Sequence, residues 1–391
     1  MTTPLPIKIV ALGLRGIPQI PGGIETHAAE LYPRLVQLGA QVTVVGRTRY
    51  RPAGVDGSWR GVGLKWLPSP RRRGFEAGVH ALIGVLYAGI CRPDVVHIHA
   101  VGPSIMTPLA KLLGLRVVVT HHGEDYLREK WNAPERTALR IGERFAAQFA
   151  DSLIVISSSL QRLIQSRFGR EATFIPNGVT HPNGITGDRL VRKYGLTPRR
   201  YVIQVSRLVP EKRQLDLISA FAAAKLPDWK LLLVGGSQGE TPYAASIRQA
   251  AAGNETIVCT GPLAASDVYE LLSDAGIFVL PSSHEGLPIA LLEAIGLGVP
   301  SLASDIPGNR EIGLDAQSYF TVGDTNTLAA KLRDLASAPD ARRAAAVRYA
   351  EICSRYDWTE IARATLALMQ STARRQTVTS LPSAQDASTV Q

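Results

Sequence analysis

A chain of 391 residues, 45% hydrophobic and 19% charged, has room for two sizeable globular domains and is too apolar for an intrinsically disordered one. Three widely spaced cysteines, Cys91, Cys259 and Cys353, offer neither a disulfide framework nor zinc spacing, which predicts a reducing, cytoplasmic setting. The net charge of +10 sits wholly in the first half, where residues 1–190 hold 23 Lys+Arg against 13 Asp+Glu while residues 191–391 hold 20 of each; with no aromatic-rich nucleic-acid motif beside it, this charge points to phosphate or an acidic membrane surface rather than to RNA or DNA.

The start of the chain lacks the basic and apolar regions of a secretory signal. Ile7 to Leu12 reads as a buried parallel strand. It opens into a glycine-containing turn, Gly13 to Pro18, then Pro21-Gly22-Gly23-Ile24-Glu25, then an amphipathic helix to about Leu38. Strand, glycine turn and helix together bring helix amides to a phosphate. Gly22 and Gly23 are the candidates, and Arg15 beside them tilts the turn towards an anion. The spacing is not G-x-G-x-x-G, so a dinucleotide site is poorly supported. Gln41 to Gly46 is a second strand, and residues 47–60 are loop-rich and basic. Arg71-Arg72-Arg73 leads into an apolar helix from Gly74 through Tyr87. That segment reads equally as an internal helix with a solvated basic cap or as one that docks on an anionic leaflet. The longest apolar run, Gly74 to Cys91, is broken by Glu76 and His80 and is not expected to span a membrane.

Two further strands, Asp94 to His99 and Arg116 to His122, each end in a pair of histidines, His97 with His99 and His121 with His122. The carboxyl ends of parallel strands are where such folds bind ligands. His122, just before Gly123, is therefore the better candidate for a substrate contact, with His121 a rival. No carboxylate or cysteine has ligand spacing beside them, which disfavours a metal. A helix over 137–149 and strands over 151–157 and 171–176 follow. Asn177-Gly178-Val179 and then Pro182, Asn183 and Gly184 form a turn-rich stretch that sets a boundary between domains 1–185 and 186–356.

In the second half, strand Tyr201 to Val205 ends in a loop carrying Arg207 and Lys212, two cations placed to suit a diphosphate. Strand 256–260 ends in Gly261-Pro262-Leu263, a tight loop whose backbone could read a base. Strand Ile277 to Leu280 leads into Ser283-His284-Glu285-Gly286-Leu287-Pro288. Pro288 suits a helix start, and Gly286 lets backbone approach a ligand. The amides of Gly286, Leu287 and Ile289 would face an anion. Glu285 and Glu293 lie on the order of 12 Å apart along that helix, the reach of a diphosphate with a sugar at one end and a ribose at the other. The pattern predicts a nucleotide-sugar cradle. The alternation of strand and helix through both halves predicts an α/β fold of two doubly wound, Rossmann-like domains. A last helix spans 357–371, and residues 372–391, rich in Ser, Thr, Ala and Gln, read as a disordered tail.

Glu285-x7-Glu293, Arg207-x4-Lys212, Gly22-Gly23, His122-Gly123, Pro176-Asn177-Gly178-Val179 and Gly261-Pro262-Leu263 together resemble retaining glycosyltransferase family 4, whose two domains face each other across a cleft in the GT-B arrangement. Thr120 to Trp131 is similar to a bacterial subgroup linked to surface polysaccharide assembly. The resemblance implies an acceptor-side first domain, a nucleotide-sugar-binding second domain and a last helix crossing back to the first. Arg207 and Lys212 would neutralise the leaving diphosphate, Glu285 would hold donor-sugar hydroxyls, and Glu293 the ribose. Gly22 and Gly23 would offer amides to phosphate, His122 would bond the transferred sugar, and Asn177, Gly261, Leu263, Gly286, Leu287 and Pro288 would line the donor site. No Asp-x-Asp pair occurs in the chain, so transfer without metal or other cofactor is expected. The expected activity is movement of a hexose from a UDP- or GDP-type donor to a saccharide, lipid-linked at the inner face of the cytoplasmic membrane, in exopolysaccharide or lipopolysaccharide synthesis. A nucleotide-sugar epimerase and a non-catalytic sugar-nucleotide scaffold are the alternatives.

Overall fold

The computed structural model describes residues 6–71, 75–129, 131–180, 187–237, 239–338 and 340–374. Eight strands build the first sheet: β1 Lys8–Leu12, β2 Gln41–Arg47, β3 Ser58–Trp59, β4 Val62–Leu67, β5 Val95–His99, β6 Val117–His121, β7 Ser152–Val155 and β8 Thr173–Phe174. Their order is β3-β4-β2-β1-β5-β6-β7-β8. Only the short β3 runs antiparallel to its neighbour. Runs such as Val117-Val118-Val119 are buried on both faces, as parallel strands under helices must be. Six parallel strands build the second sheet: β9 Tyr201–Val205, β10 Lys230–Val234, β11 Ile257–Gly261, β12 Ile277–Leu280, β13 Ser301–Ser304 and β14 Tyr319–Phe320, in the order β11-β10-β9-β12-β13-β14.

In each sheet the strand order reverses beside the first strand, between β1 and β5 and between β9 and β12. Those reversals open a crevice outside the strands' carboxyl ends, the place where open α/β sheets take ligands. The loops that follow β1, β6, β9 and β12 are the ones the sequence marks out with glycine, histidine and paired cations.

Three boundaries differ from expectation. The helix expected from residue 137 starts at Ala133, because Asn132 and Glu135 close a capping box, satisfying two orphan amides reciprocally. The segment after the basic loop forms β4, held in register on β2 from Thr43 against Gly63. The last helix runs Trp358–Arg374 rather than ending at 371, since Thr372 is buried and bonds the Ser152 hydroxyl at 2.8 Å. Residues 375–391 of the expected tail lie outside the described residues, as do Arg72 and Arg73 of the basic run and Pro182, Asn183 and Gly184 at the expected domain boundary.

That last helix follows the second sheet in the chain yet packs on the first lobe. Trp358, Ile361, Ala362, Leu366 and Met369 share one core cluster with Leu31, Tyr32 and Leu35 of helix Gly23–Gln37. A Cβ on Gly178 would stand 2.6 Å from the Trp358 ring, so the indole fills the space a side chain there would need. Trp358→Ala should cost about 3–5 kcal/mol through the cavity it leaves. The expected readout is a lower urea midpoint with earlier proteolytic release of the final helix.

Candidate active site

The Arg207–Lys212 loop is shaped from beneath by two buried glutamines. Gln204 of β9 donates to the Lys212 carbonyl at 2.8 Å, and Gln214 donates to the Arg207 carbonyl at 2.8 Å and to the Ser206 hydroxyl at 2.9 Å. The chain closes through a short 3-10 turn, Pro210–Lys212. The loop after β12 then joins it, as the Ser283 amide donates to the Glu211 carbonyl at 2.9 Å. This brings the Lys212 ammonium onto the Glu285 carboxylate as a buried ion pair.

The two lobes meet at this point. A Cβ on Gly286 would lie 2.2 Å from the His122 carbonyl oxygen across the boundary, and within the second lobe one on Gly308 would lie 2.3 Å from the Glu285 carbonyl. Gly286 is therefore required by the approach of protein backbone, not of a ligand as the sequence suggested. The resulting cavity has His122, Gly123 and Arg128 on one wall and Arg207, Glu211, Lys212, His284, Glu285 and Gly286 on the other.

Three cations are crowded here, each with one acid near it: Lys212 with Glu285, Arg128 with Asp125 at 2.7 Å and Arg207 with Glu211 at 3.9 Å. Burial lowers the Lys212 pKa; the pull of Glu285 opposes this, and repulsion from Arg207 and Arg128 adds to it. Arg207 is also lowered, by burial first and then by Arg128. Burial pushes Glu285 up, but the Lys212 ammonium more than reverses this and keeps it a carboxylate. His122 is lowered well below the ordinary value, by burial and then by His27, His97, His121 and Arg128, so its ring is neutral. An anion with two or more charges would relieve three crowded cations at once.

The rival histidine is turned away. His121 points into the core, with Nε2 2.9 Å from Glu143 and Nδ1 accepting the Gly123 amide at 3.1 Å. The bonded carboxylate fixes which nitrogen carries the proton. His122 alone of the pair lines the cavity.

Other expected contacts are placed differently. Arg15 does not face an open anion site: its guanidinium grips the Glu25 carboxylate and the Pro21 carbonyl. Gly22, at φ +153°, is needed because a Cβ there would stand 2.3 Å from both members of that pair. Gly23 begins the helix with open space before it. Asn177 likewise finds its partners within the protein. It is buried, accepting from or facing His27 Nδ1 at 2.9 Å and donating to the Leu287 carbonyl at 2.8 Å, so it ties the lobes together. Pro288 caps helix Ile289–Gly296, and Leu287 is buried beneath it. Gly261, at φ +74°, accepts the Gly235 amide at 3.0 Å, and Leu263 packs on the core. None of these lines the cavity, and neither does Glu293, whose carboxyl takes a hydrogen bond from Tyr269 at 2.8 Å.

Sequence reading missed Arg128, Gln204, Gln214, Tyr269 and His27. A signal existed for Gln204, a polar residue inside the apolar run Tyr201 to Val205. Arg128 sits among other charges in its loop and carried no mark. His27, His99 and His122 have ligand atoms within 4.8 Å of one another and could hold a metal, a grouping across three elements that spacing could not reveal.

Burial raises the Glu293 pKa to about 7, Tyr269 opposing and the Glu30 charge adding. A raised folded value means the folded chain keeps this proton where the unfolded chain has lost it. The resulting stability is full below the unfolded value and disappears as pH rises through about 7. Between pH 5 and 8 the wild type should therefore lose stability on the order of 3 kcal/mol relative to Glu293→Gln, read as the pH dependence of the difference in urea midpoints.

Residues 188–351 match the family described as Glycosyl transferases group 1, and residues 21–181 match Glycosyltransferase Family 4. The chain is 31% identical over 268 residues to a GDP-mannose-dependent alpha-(1-6)-phosphatidylinositol monomannoside mannosyltransferase of Mycolicibacterium smegmatis, spanning 62% of this chain and 66% of that relative. It is 30% identical over 290 residues to the glycogen synthase of Mycobacterium tuberculosis, spanning 70% and 68%. The crystal structure of Anabaena HepE in complex with UDP and glucose superposes with a TM-score of 0.74 at 21% identity, over 93% of this chain and 100% of that one. At that identity the likeness is one of fold.

Proposed function

Because the chain belongs to the glycosyltransferases of group 1 and family 4, with two α/β lobes in the GT-B arrangement, we propose that it moves a hexose from a UDP- or GDP-type donor to a saccharide acceptor, with retained configuration and without a metal ion. The observation that carries this reading is the meeting of Arg207, Lys212 and Arg128 with Glu285 and neutral His122 in one cavity between the lobes. Breaking the bond between the anomeric carbon and the β-phosphate oxygen leaves charge on that oxygen. Fixed cations in a partly desolvated cavity stabilise this charge more in the transition state than before it. Glu285, held ionised and in place by Lys212, accepts bonds from sugar hydroxyls. The acceptor hydroxyl attacks on the leaving-group face; as its oxygen bonds the anomeric carbon, its proton passes to the departing phosphate oxygen. No side-chain base is needed.

Arg207→Ala and Lys212→Ala should each lower kcat/KM by about 10²–10³, the scale of losing one preorganised charge contact, while donor panels with product mass and linkage analysis identify the sugar. Retained turnover in EDTA and an axial, α-configured product from an α-linked donor are expected. Epimerised donor in the absence of any acceptor, or activity lost in EDTA and restored by magnesium, would overturn the reading.

A lipid-linked acceptor, in bacterial exopolysaccharide or lipopolysaccharide synthesis, is favoured by one face of the first lobe. Val79, Leu86 and Ile90 lie on one side of helix Phe75–Cys91 and are 36%, 46% and 83% exposed, beside Leu112 at 84%. No helix among the described residues is long and apolar enough to cross a membrane. An apolar stripe on a basic lobe suits attachment in the interface of an anionic leaflet. Vesicles containing anionic phospholipid should sediment the protein at low salt and release it at high salt, and Ile90→Asp with Leu112→Asp should abolish sedimentation.

A further inference from the structure

Behind His122 the first lobe carries buried polar groups that the proposed transfer leaves unused. His97 and His99 alternate onto one face of β5. Tyr32, from helix Gly23–Gln37, sets its hydroxyl between them, 2.9 Å from His97 Nδ1 and hydrogen-bonded to His99 Nε2. His97 Nε2 lies 2.7 Å from the Thr120 hydroxyl, and His99 Nδ1 lies 2.9 Å from His122 Nε2. The five residues form one unbranched chain of hydrogen bonds that ends at the cavity wall.

Neutral imidazole has one donor nitrogen and one acceptor nitrogen. His97 and His99 are fully buried, and each bonds through both nitrogens only to hydroxyl or imidazole partners with no carboxylate among them, so the rings in the chain obey that rule. Tyr32 is fully buried, so its hydroxyl donates to one ring and accepts from the other rather than leaving its proton unpaired, and the chain is polarised one way throughout. Among the described residues the Thr120 hydroxyl bonds only His97. As an acceptor it would leave a buried O–H unpaired; as a donor it leaves only a lone pair, the cheaper orphan. The direction follows: Thr120 O–H to His97 Nε2, His97 Nδ1–H to the Tyr32 oxygen, Tyr32 O–H to His99 Nε2, His99 Nδ1–H to His122 Nε2. His122 is left with its proton on Nδ1.

We propose that Thr120, His97, Tyr32 and His99 are positioning residues that hold His122 in the Nδ1–H tautomer, so that it meets the substrate as a hydrogen-bond donor and cannot serve as a base. This rests on the transferase reading only for the identity of the acceptor oxygen, on the transferred sugar or the departing phosphate. The groups around His122 agree with a neutral donor. His27, His97, His121 and Arg128 surround it on its own lobe, and Lys212, paired with Glu285, faces it across the cavity. A metal held by His27, His99 and His122 is the exclusive alternative, because His99 Nδ1 cannot both donate to His122 and ligate an ion.

The test uses the full chain labelled with 15N-histidine, with ring nitrogen spectra at neutral pH and His122 assigned by its loss in His122→Gln. The wild type should show His122 protonated on Nδ1 alone. Tyr32→Phe and Thr120→Val should each give a mixture of tautomers, and Thr120→Ser should restore the single form. With the donor identified, both disrupting variants should lower kcat about tenfold, the share of one hydrogen bond, with the donor KM nearly unchanged. An Nε2–H signal in the wild type, an unchanged His122 tautomer in the folded Thr120→Val protein, or about one equivalent of tightly held metal that disappears in His99→Ala would overturn the proposal. The spectra need no turnover, so absence of glycosyl transfer would sink the functional reading and leave the tautomer result to stand or fall by itself.

Discussion

Between the lobes there is no room for a single methyl group where Gly286 meets the His122 carbonyl, and within the second lobe there is none where Gly308 backs the Glu285 carbonyl. Everything chemical in the cavity depends on that closeness. It sets His122 and Arg128, from loops after β6, opposite Lys212 and Glu285, from loops after β9 and β12. Side chains then lock the approach from both sides. Asn177 bonds His27 and Leu287 across the boundary, and Glu311 of the second lobe takes bonds from the Ser158 amide and hydroxyl at the start of a first-lobe helix, at 3.0 and 2.8 Å. These bonds orient backbone that would otherwise be free to hinge.

The cavity's charge balance follows from the same geometry. Each lobe alone tolerates its cations, since Arg128 has Asp125 at 2.7 Å and Lys212 has Glu285. Bringing the walls together desolvates them, and the lowered values of Lys212 and Arg207 register a cost that Glu285, Glu211 and Asp125 offset only in part. A preorganised field of this kind does its reorganisation during folding rather than during reaction. Neutral imidazoles around His122 keep further charge out of that wall.

Much of the architecture was legible. Apolar runs of strand length alternating with helix periods identified two doubly wound lobes, and glycine, histidine and paired cations at strand ends marked the right loops. Lys212, Arg207, Glu285 and His122 do converge. The sequence could not say which of two adjacent histidines turns inward, because Glu143 lies on a helix far along the chain. It misjudged Arg15 and Asn177 for one reason: a polar group beside a glycine turn looks the same whether its partner is a ligand or another side chain. Gly22 and Gly286 mark close approach, as glycines do, but the approaching atoms are the protein's own. The cluster of His27, Tyr32, His97 and His99 combines a helix face with a strand face, and no linear spacing encodes that meeting.

The strap formed by Trp358–Arg374 makes the two lobes unequal partners during synthesis. The second sheet and its helices can complete their own interior as the ribosome delivers them. The first lobe emerges earlier but lacks the indole and aliphatic groups that seal its flank beside Leu31 and Leu35. It must wait, open on that side, until Trp358–Arg374 has been synthesised. The earlier half of the gene is therefore a poor fragment to express alone, and a chaperone that shields the flank has its longest window there.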